Sequence, residues 1–175
     1  MKEDDAVNVV FDAGPLITAC KFETQGELVV DHLLKGCKIL IPPSVEEEVA
    51  VLGAKYPDGV AAGERIAAGK IHVMSISARL WDSHLEQYSM GDGERDSIEL
   101  CGQNPDVEAL VTDDHLAFIV ATRVGLEAWM LPDLVVELVS RRVLTDKLAR
   151  SVLEVVRPRY RVGLIEHTLE KLQEA

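Results

Sequence analysis

Five short apolar runs, Val7–Phe11, Lys38–Ile41, Ile71–Met74, Glu108–Val111 and Leu126–Met130, recur at intervals filled by segments with helical spacing. The runs are mostly continuous in hydrophobicity rather than alternating, which is the pattern of strands covered on both faces. Between them Glu23–Leu34, Ser44–Leu52, Val60–Ala68, Leu80–Tyr88, Glu94–Cys101 and His115–Val124 read as helices, with Pro, Gly and Asp at the joints. Such alternation indicates a parallel sheet sandwiched by helices. No internal repeat or low-complexity tract interrupts it.

Beyond the fifth run, Leu134–Arg142 and Asp146–Val156 read as two further helices, with Pro132 where a helix could begin and Pro158 beyond. The segment 163–175 carries apolar positions at Leu164, Ile165, Leu169 and Leu172 together with Thr168, a spacing suited to packing on the body or on a second subunit. The expected organisation is a domain over 1–145 and a helical extension over 146–175. A length of 175 residues with 47% hydrophobic content suits one such core.

No apolar run approaches the roughly 18 residues of a membrane span, and the start MKEDDAV lacks the features of a secretory signal, so a cytoplasmic protein without membrane contact is expected. Cys20, Cys37 and Cys101 show no C-x-x-C spacing and read as buried thiols. His32, His72, His84, His115 and His167 form no ligand pattern and read as surface imidazoles. The formal charge of −12 argues against bulk electrostatic coating of nucleic acid. The balance is uneven, because Arg141, Arg142, Lys147, Arg150, Arg157, Arg159 and Arg161 face only Asp146 and Glu154, a local +5 that leaves −17 elsewhere. A basic stripe beside an acidic site suits an enzyme acting on a polyanion; a solvated helix face or a dimer surface reads the stretch equally well.

Four acids stand at corresponding places. Asp12 follows the first run and Asp114 follows the fourth after Val111 and Thr112. In parallel sheets ligands gather outside the carboxyl ends of strands, so both acids reach one rim. Glu48 shares the i, i+3, i+4, i+7 face of its helix with Val45, Val49 and Leu52, while Glu46 and Glu47 point elsewhere. Asp96 and Glu94 lie in the first turn of a helix that Asp92 can cap. At about 4 Å and an effective dielectric near 20, each unneutralised like-charge pair costs roughly 4 kcal/mol, which a hard cation would remove. Read one by one, Asp12 as a turn residue and Asp113 or Asp114 as helix caps are equally plain readings.

Other enzymes also place an aspartate after the first strand. A haloacid-dehalogenase phosphatase needs a second Asp two residues on, where Gly14 stands. A response-regulator receiver needs an Asp after the third strand and a Lys after the fifth, where Ser75 and Leu131 stand.

Asp12-Ala13-Gly14-Pro15-Leu16-Ile17 after a strand, Pro42-Pro43-Ser44-Val45 leading to Glu48-Val49, Gly93-Glu94-Arg95-Asp96 opening a helix, and Thr112-Asp113-Asp114 after a late strand together resemble the PIN-domain nucleases. The closing run ATRVGLEAWMLPDLVVELVSRRVL is similar to that family's last turn, strand and helical pair, so the resemblance covers about residues 7–145. It implies a three-layer α/β/α sandwich with a five-stranded, mainly parallel sheet, and Mg²⁺- or Mn²⁺-dependent cleavage of RNA. It also implies that Asp12, Glu48, Asp96 and Asp114 are the metal-site acids, that Thr112 orients substrate or water, and that Asp113 and Glu94 are supporting positions. Many small members are toxins of the VapC kind held by a partner antitoxin. An RNA substrate, an antitoxin partner and a homodimer are the corresponding expectations. The long 53–88 region and the helices past Val156 depart from the usual small toxin. The other class of reading is an inactive module of the same fold that binds RNA or a protein.

Overall fold

The computed structural model describes residues 6–174. The chain begins with β1 (Val7–Phe11), continues through α1 (Ala13–Lys21), a hairpin of β2 (Glu23–Thr24) and β3 (Glu27–Leu28), and α2 (Val29–Leu33), and then enters β4 (Cys37–Ile41). A single turn, α3 (Pro43–Glu46), widens into a π-helical turn over Glu47–Val51 and tightens over Leu52–Lys55 before α4 (Pro57–Ala67) and β5 (Ile71–Val73). Next come α5 (Asp82–Leu85), α6 (Asp92–Gln103), β6 (Ala109–Val111), α7 (His115–Arg123) and β7 (Ala128–Trp129). The helices α8 (Leu131–Ser140), α9 (Asp146–Val156) and α10 (Val162–Glu174) follow.

The principal sheet runs β5-β4-β1-β6-β7 with every pairing parallel; Val9 stands beside Ile39 on one side and Ala109 on the other. The fold is therefore the expected three-layer α/β/α sandwich. Successive side chains of each strand go to opposite layers. Val9, Phe11, Ile39, Ile41 and Val111 pack with α1, α2, α4, α8, α9 and α10, while Val10, Leu40 and Leu110 pack with α6 and α7. From β1 the chain adds β4 and β5 to one side and then crosses to β6 on the other. The crevice at the carboxyl ends of β1 and β6 is thus the switch point at which such folds bind ligands.

The helices after β7 belong to this core. Val152, Leu153 and Val156 of α9, with Ile165 and Leu172 of α10, are buried in the cluster that contains Phe11.

Several helix expectations shift. Glu23–Leu34 is helical only at α2, because Gln25 and Gly26 both take positive φ and close the β2–β3 hairpin. Leu80–Tyr88 yields only the single turn α5. Helix α1, absent from the sequence reading, forms because Asp12 caps it and Pro15, in its first turn, gives up no intrahelical hydrogen bond. Leu52 does not share the buried face of Val45 and Val49: the wide turn at Glu47–Val51 rotates it outward, and it is 65% exposed. Gly59 lets α4 approach that turn closely, since a Cβ there would lie 2.1 Å from the Gly53 carbonyl oxygen. All three cysteines are buried and free. His32, expected at the surface, is instead buried, with Nε2 3.0 Å from the Thr24 carbonyl.

Candidate active site

Asp12 ends β1 at the switch point and caps α1. Its Oδ1 accepts the Ala13 N–H at 2.8 Å and its Oδ2 accepts the Thr112 hydroxyl at 2.9 Å, which fixes both oxygens. The residue is 5% exposed. Burial is the main reason its pKa rises from 3.8 to about 6, against the lowering effect of those two hydrogen bonds; the charges of Glu94 and Glu48 push it further up.

Glu48 reaches the same place from the π-turn. An ideal Cβ on Gly93 would lie 3.4 Å from Glu48 Oε2 and 3.9 Å from Asp12 Oδ1, so the bare backbone of α6 leaves a gap flanked by both carboxylates. Desolvation and then the charge of Glu94 raise the pKa of Glu48 as well. Glu94 itself turns back on its own helix start and accepts the Gly91 N–H, which makes Gly91 rather than Asp92 the cap. Asp92 pairs instead with Arg95 at 2.8 Å.

The other two acids expected at the metal site are engaged elsewhere. Asp96 Oδ1 lies 2.9 Å from Arg79 Nη1 in an ion pair. Asp114 is exposed and caps α7, accepting the Ala117 N–H at 2.8 Å. Thr112, fully buried, joins the two strand ends, since its hydroxyl donates to Asp12 and accepts the Asp114 N–H at 3.1 Å. Asp113 turns over the first turn of α1, where a Cβ on Gly14 would lie 3.9 Å from its Oδ2. It is held by the Tyr160 hydroxyl, 3.0 and 2.9 Å from its two oxygens, and burial raises its pKa. The structure thus brings Asp12, Glu48, Glu94 and Thr112 together, while Asp96 turns to Arg79 and Asp114 joins the group only through its backbone N–H on Thr112. Among the described residues no three His, Cys, Asp or Glu side chains stand close enough to form a ready-made metal cage.

Sequence reasoning did not single out the clamp that holds Arg79. Glu99, fully buried on α6, accepts the Leu80 and Trp81 N–H groups at 2.6 and 2.9 Å. Gln103 accepts the Ser77 N–H and hydroxyl at 2.8 and 2.9 Å. Asp96, Glu99 and Gln103 recur at i, i+3 and i+7, so one stripe of α6 binds the 77–81 segment at three points. A polar stripe on a helix that also contributes core residues was the available signal. Arg79 and Asp96 line, with Ser44, Asp92 and Arg95, a depression of about 350 Å³, and the Ser44 hydroxyl is buried there without a partner.

A family model described as a PIN domain matches residues 8–174. The chain belongs to the PIN-domain family. Its fold is accordingly of nuclease type. A domain of a functionally unknown protein from Methanocaldococcus jannaschii DSM 2661 is similar at 22% identity and a TM-score of 0.44, over 72% of this PIN domain and 91% of that chain. No curated protein matches it. Among the described residues no helix is long and apolar enough to cross a membrane.

The donor set fits a hard divalent ion. Its members are carboxylate oxygens, and Asp12 is a buried acid whose charged form is opposed by burial and by the charges of Glu94 and Glu48. Mg²⁺ keeps several waters and takes one or two protein carboxylates together with substrate phosphate, so the two acids at the Gly93 gap suffice without a full cage.

Proposed function

We propose that this PIN domain is a Mg²⁺- or Mn²⁺-dependent endoribonuclease that hydrolyses the phosphodiester bonds of RNA. The observation that carries the reading is Asp12, 5% exposed at the topological switch point, whose charge is opposed by burial and by two neighbouring glutamates. Asp12 and Glu48 would hold the ion, and Asp96 and Asp114 would join directly or through water. When bound, the ion supplies Lewis-acid polarisation and acidifies water toward neutral pH. The chain supplies preorganisation. Ala13 N–H and the Thr112 hydroxyl hold the Asp12 carboxylate in place before substrate arrives, so no reorientation is needed at that group. Glu94 adds negative potential that favours a cation over an empty gap. Arg79 neutralises Asp96 in the resting site and stands ready to exchange that carboxylate for an RNA phosphate.

The toxin role with its antitoxin partner, a cytoplasmic location and a homodimer belong to the same proposal. Val51, Leu52, Tyr56 and Val60 are exposed along 51–60 and form the face a second copy would cover; a monomeric mass by light scattering would remove the dimer. The competing reading, an inactive RNA- or protein-binding module, draws on the pairing of Asp96 with Arg79. The deciding experiment is cleavage of a mixed RNA pool with and without Mn²⁺ by wild type and Asp12→Asn. Mn²⁺-dependent cleavage lost in the variant supports the nuclease; no cleavage by wild type, or full cleavage by the variant, overturns it.

A further inference from the structure

The basic stretch 141–161 divides into cations that are spent and cations that are not. Arg141 is bound by Glu108 and Glu137, Arg150 by Asp146, and Arg157 by Glu154 and Glu166. Arg157 ties α9 to α10, Arg141 ties the end of α8 to the segment before β6, and Arg150 pairs within α9. Arg159 differs, because its Nε contacts the Thr18 hydroxyl at 3.4 Å and its side chain is exposed. Among the described residues no carboxylate forms an ion pair with Arg142, Lys147, Arg159 or Arg161, all exposed; of these four, Arg159 is the one whose side chain contacts α1.

Their place is set by the chain between them. α9 returns toward the carboxyl ends of the strands and ends in a tight turn over Arg157–Arg159, after which Tyr160 is extended. The Tyr160 ring turns inward and its hydroxyl locks onto both oxygens of Asp113, while Arg159 in the tight turn and Arg161 after it remain exposed. Asp113 follows Thr112, the residue bonded to Asp12. The charge of Arg159 reaches Asp113. Thr18, its other neighbour, lies on α1 about 9 Å along the helix from Asp12. Arg159 therefore lies on the α1 side of the rim that carries Thr112 and Asp12, with Arg161 two residues on.

A chain of net charge −12 repels a polyanion unless cations mark its path. We propose that Arg159, with Arg161 beside it, is the phosphate anchor that fixes the RNA backbone a nucleotide or two from the cleaved bond, and that the Tyr160–Asp113 bond positions it. The inference rests on the reading of RNA as substrate. A guanidinium offers a planar fork to phosphate oxygens, which an ammonium does not.

The test uses full-length chain in the Asp12→Asn background, which prevents cleavage, and the anisotropy of labelled mixed-sequence single-stranded RNA across a salt series. Adding Arg159→Ala should weaken binding about five- to tenfold and reduce the slope of log Kd against log salt by about 0.7, the value for one phosphate contact on a single strand. Arg159→Lys should restore the slope but not the full affinity, Tyr160→Phe should weaken binding with Arg159 intact, and Arg150→Ala should change neither affinity nor slope. Unchanged affinity and slope in Arg159→Ala would overturn the anchor. So would a melting temperature lowered as far as in Tyr160→Phe, which would make the residue structural. Cleavage by wild type in Mn²⁺ is a separate arm: its absence alongside the Arg159 effect would remove the nuclease and leave the anchor.

Discussion

Replacing Asp12 with asparagine should make the metal-free protein more stable near neutral pH, and the size of the gain follows from the environment of that one side chain. Burial, opposed by the Ala13 and Thr112 hydrogen bonds and reinforced by Glu94 and Glu48, lifts the carboxyl from 3.8 to about 6. A shift of that size costs about 3 kcal/mol against the charged form. The fold favours the protonated acid, so its contribution to stability is whole below 3.8 and is lost as pH rises through about 6. Asparagine keeps the shape and carries no charge. The difference between Asp12→Asn and wild type should therefore be near zero at about pH 4 and reach its full size by about pH 7.5, some 6–12 °C in Tm for a chain of this length. Denaturant melts at both pH values, in chelator, read the difference directly. Mn²⁺ at a hundredfold its Kd should then return about 2.7 kcal/mol to wild type and nothing to the variant. A variant no more stable than wild type near neutrality, or a difference that does not change with pH, would refute the reasoning.

Arg79→Ala should free Asp96 and tighten Mn²⁺ binding about two- to fivefold, the range expected for a partly exposed ion pair; calorimetry that finds equal or weaker binding contradicts the role given to Arg79. Thr112→Val removes a hydrogen bond that favours the ionised Asp12, so the midpoint of the pH-dependent stability difference should move above about 6, and an unmoved midpoint counts against it. Gly59→Ala should destabilise by about 1–3 kcal/mol in denaturant melts, because the added Cβ meets the backbone oxygens of Gly53 and Val49 at 2.1 and 2.7 Å and outweighs the helix-propensity gain.

The sheet was legible because buried parallel strands leave unbroken apolar runs: β1 coincides with its run, and β4 to β7 lie within a residue or two of theirs. Helix α1 escaped notice because its evidence is a cap and an early proline rather than a long periodic face. The π-turn escaped because a 3.6-residue template cannot represent it, and the same wide turn explains why Leu52 faces solvent. Asp12 and Thr112 were placed by topology, which a strand end fixes. Asp96 and Asp114 were harder, since their partners, Arg79 and the α7 backbone, depend on side-chain choices that spacing does not encode. The Tyr160–Asp113 bond joins residues 47 apart, a contact that only the return of α9 to the active rim creates.

The most direct test is an anomalous difference map from crystals soaked in Mn²⁺ near neutral pH. A single peak within coordination distance of an Asp12 oxygen, in the gap beside Gly93 and facing Glu48, is the expected result. A map with no peak at Asp12 under saturating Mn²⁺, or with the ion held by other residues, would contradict it.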